Sequence, residues 1–205
     1  MKIICIGRNY AQHIAELKNE KPDNPIIFFK PDTAVLPKKQ PFFIPDFAPD
    51  DVNYEVELLV RINRVGKHIQ EKFAHKYYEE IGLGLDFTAR NLQQQLKEKG
   101  LPWEMAKGFD GSAVIGRTWI DKSEFEDLND IDFSLKKNDE VVQKGNTSLM
   151  LWKVDELISY ISKFFTLKIG DIIFTGTPAG VGPVAENDQL TGYIGERKIF
   201  SIQVK

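Results

Sequence analysis

NYEVELLV, residues 53–60, sets two glutamates, Glu55 and Glu57, two positions apart in an apolar run. Residues i and i+2 of a strand point to the same face. The two carboxylates therefore share one side, and Val56, Leu58 and Val60 take the other. Like charges at that spacing repel unless water or a cation lies between them. The run reads as a strand whose polar side is either a wet sheet edge or a cation site.

Working outward, KIICIG (residues 2–7) is a short buried strand, and YAQHIAELKN has a helical period that places Tyr10, Ile14 and Leu17 on one side. Pro22 and Pro25 break that helix, and IIFFKP is a second strand ended by Pro31. Four of the ten prolines fall between Pro37 and Pro49, so this segment reads as irregular. Beyond the glutamate strand, EKFAHKYYEEI is expected to be a helix, IGLGLDFT a buried strand, and ARNLQQQLKEK a helix ended by Gly100. FSLKKNDEVVQKG is a hairpin pattern. VDELISYISKFF is the best amphipathic helix, with Val154, Leu157, Ile158 and Ile161 at i, i+3, i+4 and i+7. DIIFTGTPAGVGP is a strand running into a Gly/Pro loop, and two more strands close the chain. Strands outnumber helices without a repeating strand–helix–strand interval. That predicts an α+β fold, a mixed and mainly antiparallel β architecture with peripheral helices, in one domain over residues 1–205.

The 205 residues suit one substantial core, and a formal charge of −3 with scattered basic residues gives no electrostatic case for nucleic acid or an acidic membrane. Cys5 is the single cysteine, which excludes a disulfide framework and a cysteine zinc site, and favours a reducing, cytoplasmic setting. No stretch approaches the roughly 20 apolar residues of a membrane span.

Asp86, in GLGLDFTAR, follows a glycine–leucine run in a strand expected to be buried, where an unpaired carboxylate is costly. Three oxygen ligands on rigid strands suit a hard cation, Mg²⁺ first and Mn²⁺ as a substitute. No histidine pair lies near them, which argues against zinc. On spacing alone two bland readings stay open: a wet edge strand for Glu55 and Glu57, and a helix N-cap for Asp86. His13 and Glu16, at i and i+3, share one helix face, either as an incidental surface pair or with the carboxylate orienting the imidazole as a base. TGTPAGVG lacks the phosphate-loop pattern, so it reads as backbone that approaches a ligand, with Thr177 donating to a carboxylate.

GRNYAQHIAEL, IIFFKPDTAV, YEVELLV, GLDFTARNLQ, LPWEMAKGFDG, GNTSLM and FTGTPAGVGP occur in that order. Together they resemble the fumarylacetoacetate hydrolase family, and most of all its short acylpyruvate hydrolases that also decarboxylate oxaloacetate. The resemblance implies a β-roll-like mixed fold, a homodimer, and a divalent metal held by Glu55, Glu57 and Asp86. It implies a 2-oxo acid substrate, and a water-activating dyad of His13 and Glu16 on a helix that orders over it. It makes Lys107 the protonated lysine that stabilises an oxyanion and enolate, and it makes Arg90 and Gln93 substrate-carboxylate binders. The expected reaction is Mg²⁺-dependent cleavage of 2,4-dioxo acids to pyruvate and a carboxylic acid. Larger members carry an additional N-terminal domain, so fumarylacetoacetate itself is a poor substrate for this chain. One rival is an isomerase or oxaloacetate tautomerase of the same family. Another is a metal-stabilised β module without activity.

Overall fold

The computed structural model describes residues 1–205. In chain order the strands are β1 (Ile3–Gly7), β2 (Ile26–Lys30), β3 (Val52–Tyr54), β4 (Val56–Ile62), β5 (Tyr78–Asp86), β6 (Thr88–Ala89), β7 (Ala113–Ile115), β8 (Ile120–Asp121), β9 (Asp132–Lys137), β10 (Glu140–Asn146), β11 (Ile172–Phe174), β12 (Gly182–Pro183), β13 (Gln189–Ile194) and β14 (Arg197–Gln203). The helices are α1 (Ala11–Glu16), α2 (Glu71–Ala74), α3 (Arg90–Glu98), α4 (Glu104–Lys107) and α5 (Val154–Phe164), with three short 3₁₀ turns.

The central sheet runs β2-β1-β11-β4-β5-β7, with β8 also paired to β5. A second sheet runs β10-β9-β13-β14, and a small third one β12-β3-β6. Among the strand pairs, β1 with β11 is parallel and the others are antiparallel. This is the mixed, mainly antiparallel α+β fold that the strand count and spacing predict.

Alternation sorts the central strands onto two faces. Ile4, Ile6, Val56, Leu58, Val60, Leu83 and Leu85 join the larger apolar cluster, together with α5 and the inner side of the four-stranded sheet. Ile3, Cys5, Leu59, Ile172 and Phe174 form a smaller cluster on the opposite face. Glu57, Gly84 and Asp86 share that second face. Glu57 pairs directly with Gly84, where a Cβ would lie 2.2 Å from the Val114 carbonyl oxygen. The glycines of GLGLD thus let strands close up around a polar floor while the leucines fill the core.

Several local expectations need correction. EKFAHKYYEEI is not one helix: α2 stops at Ala74, and Tyr78 to Glu80 already belong to β5, where Tyr78 pairs with Ile62. The helical period loses there to sheet pairing and burial of Tyr78. The glutamate run is also not one continuous strand. The chain leaves β3 at Tyr54 and enters β4 at Val56, so Glu55 sits at the junction between two sheets. Asp86 is not a helix cap, since Ala89 precedes α3 and the Asp51 carboxylate accepts from the Asn91 N–H (2.7 Å). Lys107 ends α4. The Asn138–Asp139 turn of the β9–β10 hairpin has both residues at positive φ (51° and 70°), as a tight hairpin with right-handed strand twist requires. No helix is long and apolar enough to cross a membrane.

Candidate active site

The polar floor lies in a cleft lined by, among others, Glu55, Glu57, Asp86, Lys107, His13 and Arg90. Gln93 and Thr177 also line it, so one cleft gathers eight of the nine residues singled out in the sequence, and the ninth, Glu16, reaches it through its bond to His13. Glu55, Glu57 and Asp86 are buried, and one oxygen from each lies within 4.8 Å of the others. The wet-edge reading of the two glutamates is therefore excluded.

Three buried carboxylates need opposite charge, and three cations supply part of it. The Lys107 ammonium bridges Glu55 Oε2 and Asp86 Oδ2, at 2.8 Å each. The Arg90 guanidinium pairs with Glu55 Oε1 and donates to Gln93 Oε1 at 2.7 Å. Lys30 lies 2.7 Å from Asp86 Oδ1 at an angle that does not suit a hydrogen bond. Its ammonium donates to the carbonyl oxygens of Phe87 (3.3 Å), Ser112 (3.1 Å) and Lys107, and to the Ser112 hydroxyl (3.0 Å). Asp86 Oδ1 is thus neutralised by charge yet has no directed hydrogen bond.

Glu57 has no cation within 4.0 Å. Its hydrogen bond comes from the Gly176 N–H, at 2.7 Å. Gly176 has φ +99°, and a Cβ there would lie 2.7 Å from Asn9 Cβ, so glycine is needed to bring this N–H to the carboxylate. The titration behaviour follows the pairing. Burial, then Asp86 and Glu55, push the Glu57 carboxyl well above the usual carboxylate range. Burial would raise Glu55 too, but Lys107 and Arg90 hold it well below that range. Burial opposes the charge on Lys107, and Asp86 and Glu55 override it and raise its pKa.

An all-oxygen donor set, one buried carboxylate without a cation and one oxygen without a hydrogen bond are what a hard divalent cation satisfies. The residues fit such an ion, with Glu55, Glu57 and Asp86 as its ligands.

Above the floor, His13 Nδ1 lies 3.3 Å from Glu16 Oε2, and Glu16 Oε1 accepts from the Gly180 N–H at 3.0 Å. The loop after β11 thereby fixes the carboxylate that orients the imidazole. With Nδ1 donating to Glu16, Nε2 is the acceptor. Burial lowers the His13 pKa, partly offset by Glu55 and the bond to Glu16, so the ring is neutral near pH 7. Asn9 holds the start of this region, since its side chain bonds Trp152 O (3.1 Å), Trp152 N (2.8 Å) and Thr175 O (2.7 Å).

Thr177 does not offer its hydroxyl to a ligand. That proton goes to Val56 O (2.9 Å), and the oxygen accepts from Gln143 Nε2 (2.9 Å). Its backbone N–H, which bonds no protein group, is the donor left over. Arg90 Nε is likewise buried without a partner.

Lys30, Asn9 and Gln143 are buried parts of this site that the sequence reading did not select. Lys30 stood before a proline at a strand end, where a lysine ordinarily reaches to solvent. Its one signal was its place inside the IIFFKPDTAV segment. His68 and His75 are exposed.

Residues 2–203 match the model for the C-terminal region of fumarylacetoacetate (FAA) hydrolase. The chain belongs to the fumarylacetoacetate hydrolase family. It is similar to an oxaloacetate tautomerase of Escherichia coli, with 43% identity over 192 residues, 93% of this chain and 86% of that one. It is similar also to the mitochondrial oxaloacetate tautomerase of Bos taurus, with 41% identity over 203 residues, 99% and 90% of the two chains. Among solved structures, fumarylpyruvate hydrolase from Pseudomonas aeruginosa in complex with Mn²⁺ and pyruvate superposes with a TM-score of 0.91 at 35% identity, covering 100% of this chain and 89% of that one. Family relatives thus include both hydrolases and tautomerases, and one of them was solved with a divalent metal.

Proposed function

We propose that this chain is a divalent-metal-dependent enzyme that takes 2-oxo acids through an enolate and cleaves the C3–C4 bond of 2,4-dioxo acids with water. The observation that carries the reading is the meeting, in one cleft, of a buried carboxylate triad, an ammonium at its edge and a neutral, carboxylate-oriented histidine. Glu55, Glu57 and Asp86 would hold Mg²⁺, or Mn²⁺ in its place, and such an ion draws electron density from a substrate's 2-oxo oxygen.

The protein's own groups supply the remaining steps. The Thr177 N–H and Arg90 Nε are the free donors for the substrate's carboxylate, with Gln93 holding the guanidinium in place. His13 Nε2 takes a proton from a water aimed at C4, and Glu16 stabilises the imidazolium. As the adduct collapses, the C3–C4 bond breaks, C4 leaves as a carboxylic acid, and the electron pair passes to the enolate of pyruvate. The Lys107 ammonium stabilises that charge until C3 is protonated.

A second reading, keto–enol tautomerisation of oxaloacetate, is favoured by the names of the Escherichia coli and Bos taurus relatives. It needs the same enolate, with His13 taking its proton from C3 instead of from water. The homodimer stays part of the proposal, with light scattering as its check. A reducing, cytoplasmic setting suits a chain whose single cysteine is buried and unpaired.

The test is a paired assay with Mg²⁺, using acetylpyruvate and enol oxaloacetate as substrates. Turnover of acetylpyruvate supports hydrolysis. Turnover of the enol alone moves tautomerisation to the front, and turnover of neither overturns both.

A further inference from the structure

The loop after β11 serves the cleft with three backbone groups. The Gly176 N–H bonds Glu57 on the floor, the Thr177 N–H is left for a ligand, and the Gly180 N–H bonds Glu16 beside His13. Backbone pairing holds this loop only at its start. The register between β11 and β4 ends at Phe174 and Leu59, and one further bond runs from the Thr175 N–H to Leu58 O (3.2 Å). Beyond it side chains take over. The Thr175 hydroxyl donates to Leu58 O and the Thr177 hydroxyl to Val56 O, each at 2.9 Å.

Gln143 reaches the same place from the second sheet. It is 1% exposed and uses both ends of its amide. Oε1 accepts from the Val56 N–H (2.9 Å), and Nε2 donates to Thr177 Oγ1 (2.9 Å) and Pro178 O (3.0 Å). With the Thr177 hydroxyl on Val56 O, the three residues close a ring of hydrogen bonds on the backbone of Val56, the residue between Glu55 and Glu57. A β-bulge aims the amide there. β10 carries one extra residue, Val142, opposite β9. Gln143 and Gly145 are therefore buried while Val141, which regular alternation would place on their face, is exposed. The loop lies directly on the bulge, since a Cβ at Gly180 would stand 2.5 Å from Val142 O.

We propose that Gln143 is a positioning residue, which fixes the Thr177 N–H relative to Glu55 and Glu57 and so sets the register in which an acid binds. This rests on the 2-oxo acid reading above. Such an acid must present its 2-oxo oxygen to the floor and its carboxylate to the Thr177 N–H at once. The two groups sit on adjacent carbons, so the acid cannot stretch to follow a displaced donor. Gln143 does not line the cleft, and it acts through Thr177 rather than on the substrate.

The test measures the Kd of pyruvate, which lacks the 4-oxo group needed for cleavage, by calorimetry on the Mg²⁺-supplemented protein. Equilibrium dialysis gives the Kd of Mg²⁺, and melting temperatures identify the variants that fold. Gln143→Met, similar in length but without the amide, should weaken pyruvate about tenfold, the worth of one hydrogen bond to a charged group, and leave Mg²⁺ within about twofold. Thr177→Val should do the same, and Thr177→Ser, which keeps the hydroxyl, should bind as wild type does. Gln143→Met combined with Thr177→Val should lose no more than either alone, whereas independent structural losses would add. Unchanged pyruvate affinity in Gln143→Met, equal weakening of Mg²⁺ and pyruvate, or additive losses each overturn the positioning role and leave the 2-oxo acid reading intact. Should Gln143→Met fail to fold, Thr177→Val and Thr177→Ser cut or keep the same ring from the loop side, and equal binding by these two overturns the role. A wild type that binds Mg²⁺ but no pyruvate overturns it together with the reading beneath it.

Discussion

Glu57 and His13 line one cleft from opposite kinds of support. Glu57 projects from β4, a seven-residue strand paired on one side to β11 and on the other to β5, with apolar neighbours buried on both faces. His13 stands on a six-residue helix whose N-cap makes no side-chain bond, far below the length at which a helix holds by itself. The helix is kept by burial of Ile14, the Tyr10–Met150 bridge and the bond from Gly180 to Glu16. Groups that must keep several charges at fixed separations sit on the sheet. Groups that must meet substrate and water sit on a segment with few tertiary ties, the kind that opens most easily. Substitutions on the floor should therefore disturb ion binding and stability together, and those on the rim should disturb turnover alone.

The largest effect is expected at the rim. His13→Ala should lower turnover of acetylpyruvate by about 10²–10⁴-fold, the range of a lost general base. Its melting temperature should fall less than that of a floor variant, since the side-chain hydrogen bond His13 gives up, to Glu16, is worth about 1 kcal/mol. A large loss of stability would erase the contrast between the regions.

On the floor, Asp86→Asn should weaken Mg²⁺ binding by more than about 100-fold, because even outer partners of metal ligands cost 10–100-fold. Equilibrium dialysis gives the answer, and unchanged affinity would remove Asp86 from the ligand set.

Lys30→Met sharpens the comparison, because Lys30 touches Asp86 and the backbone of Lys107 but does not line the cleft. Breaking a buried pair on one side costs about 3 kcal/mol. Chemical denaturation should register that loss, and a variant as stable as wild type would show that the floor is not tied together through this lysine.

A smaller effect concerns pH. Burial holds His13 below its ordinary value of 6.5, so as pH falls the unfolded chain takes up this proton before the folded one. The stability linked to His13 is complete above the ordinary value and is lost as pH falls towards the lowered one. Between pH 8 and pH 5 the wild type should lose more melting temperature than His13→Gln, and the acid limb of hydrolysis should lie below the free-imidazole value. The smallest effect is expected from Asp51→Ala, which removes the carboxylate that caps α3 at the Asn91 and Leu92 N–H groups. A cost of about 1 kcal/mol in denaturation is typical for a lost cap.

Strand alternation marked Glu55 and Glu57 as neighbours but left a wet edge open, and the resemblance of the ordered segments joined them to Asp86 as a ligand set. Glu55, Glu57 and Asp86 stand among apolar residues in runs whose period is two, and the glycines of GLGLD mark a close approach. The break between β3 and β4 was hidden, because only the pairing of Tyr54 into the small sheet reveals that the chain changes sheets there. The segment after Ala74 was misread because its helical period competes with long-range pairing of Tyr78, which no window of sequence contains. Lys30 was missed since its burial depends on three separate segments that enclose it, at Phe87, Lys107 and Ser112.

The account's central claim is that this cleft forms an enolate when a divalent cation is present. Proton NMR of a 2-oxo acid in D₂O, following exchange at C3 with wild type and Asp86→Asn in Mg²⁺ and in EDTA, tests it most directly. The account predicts rapid exchange with wild type and Mg²⁺, and exchange at the uncatalysed rate in EDTA or with Asp86→Asn. Exchange no faster than the protein-free control in wild type with Mg²⁺ would contradict it.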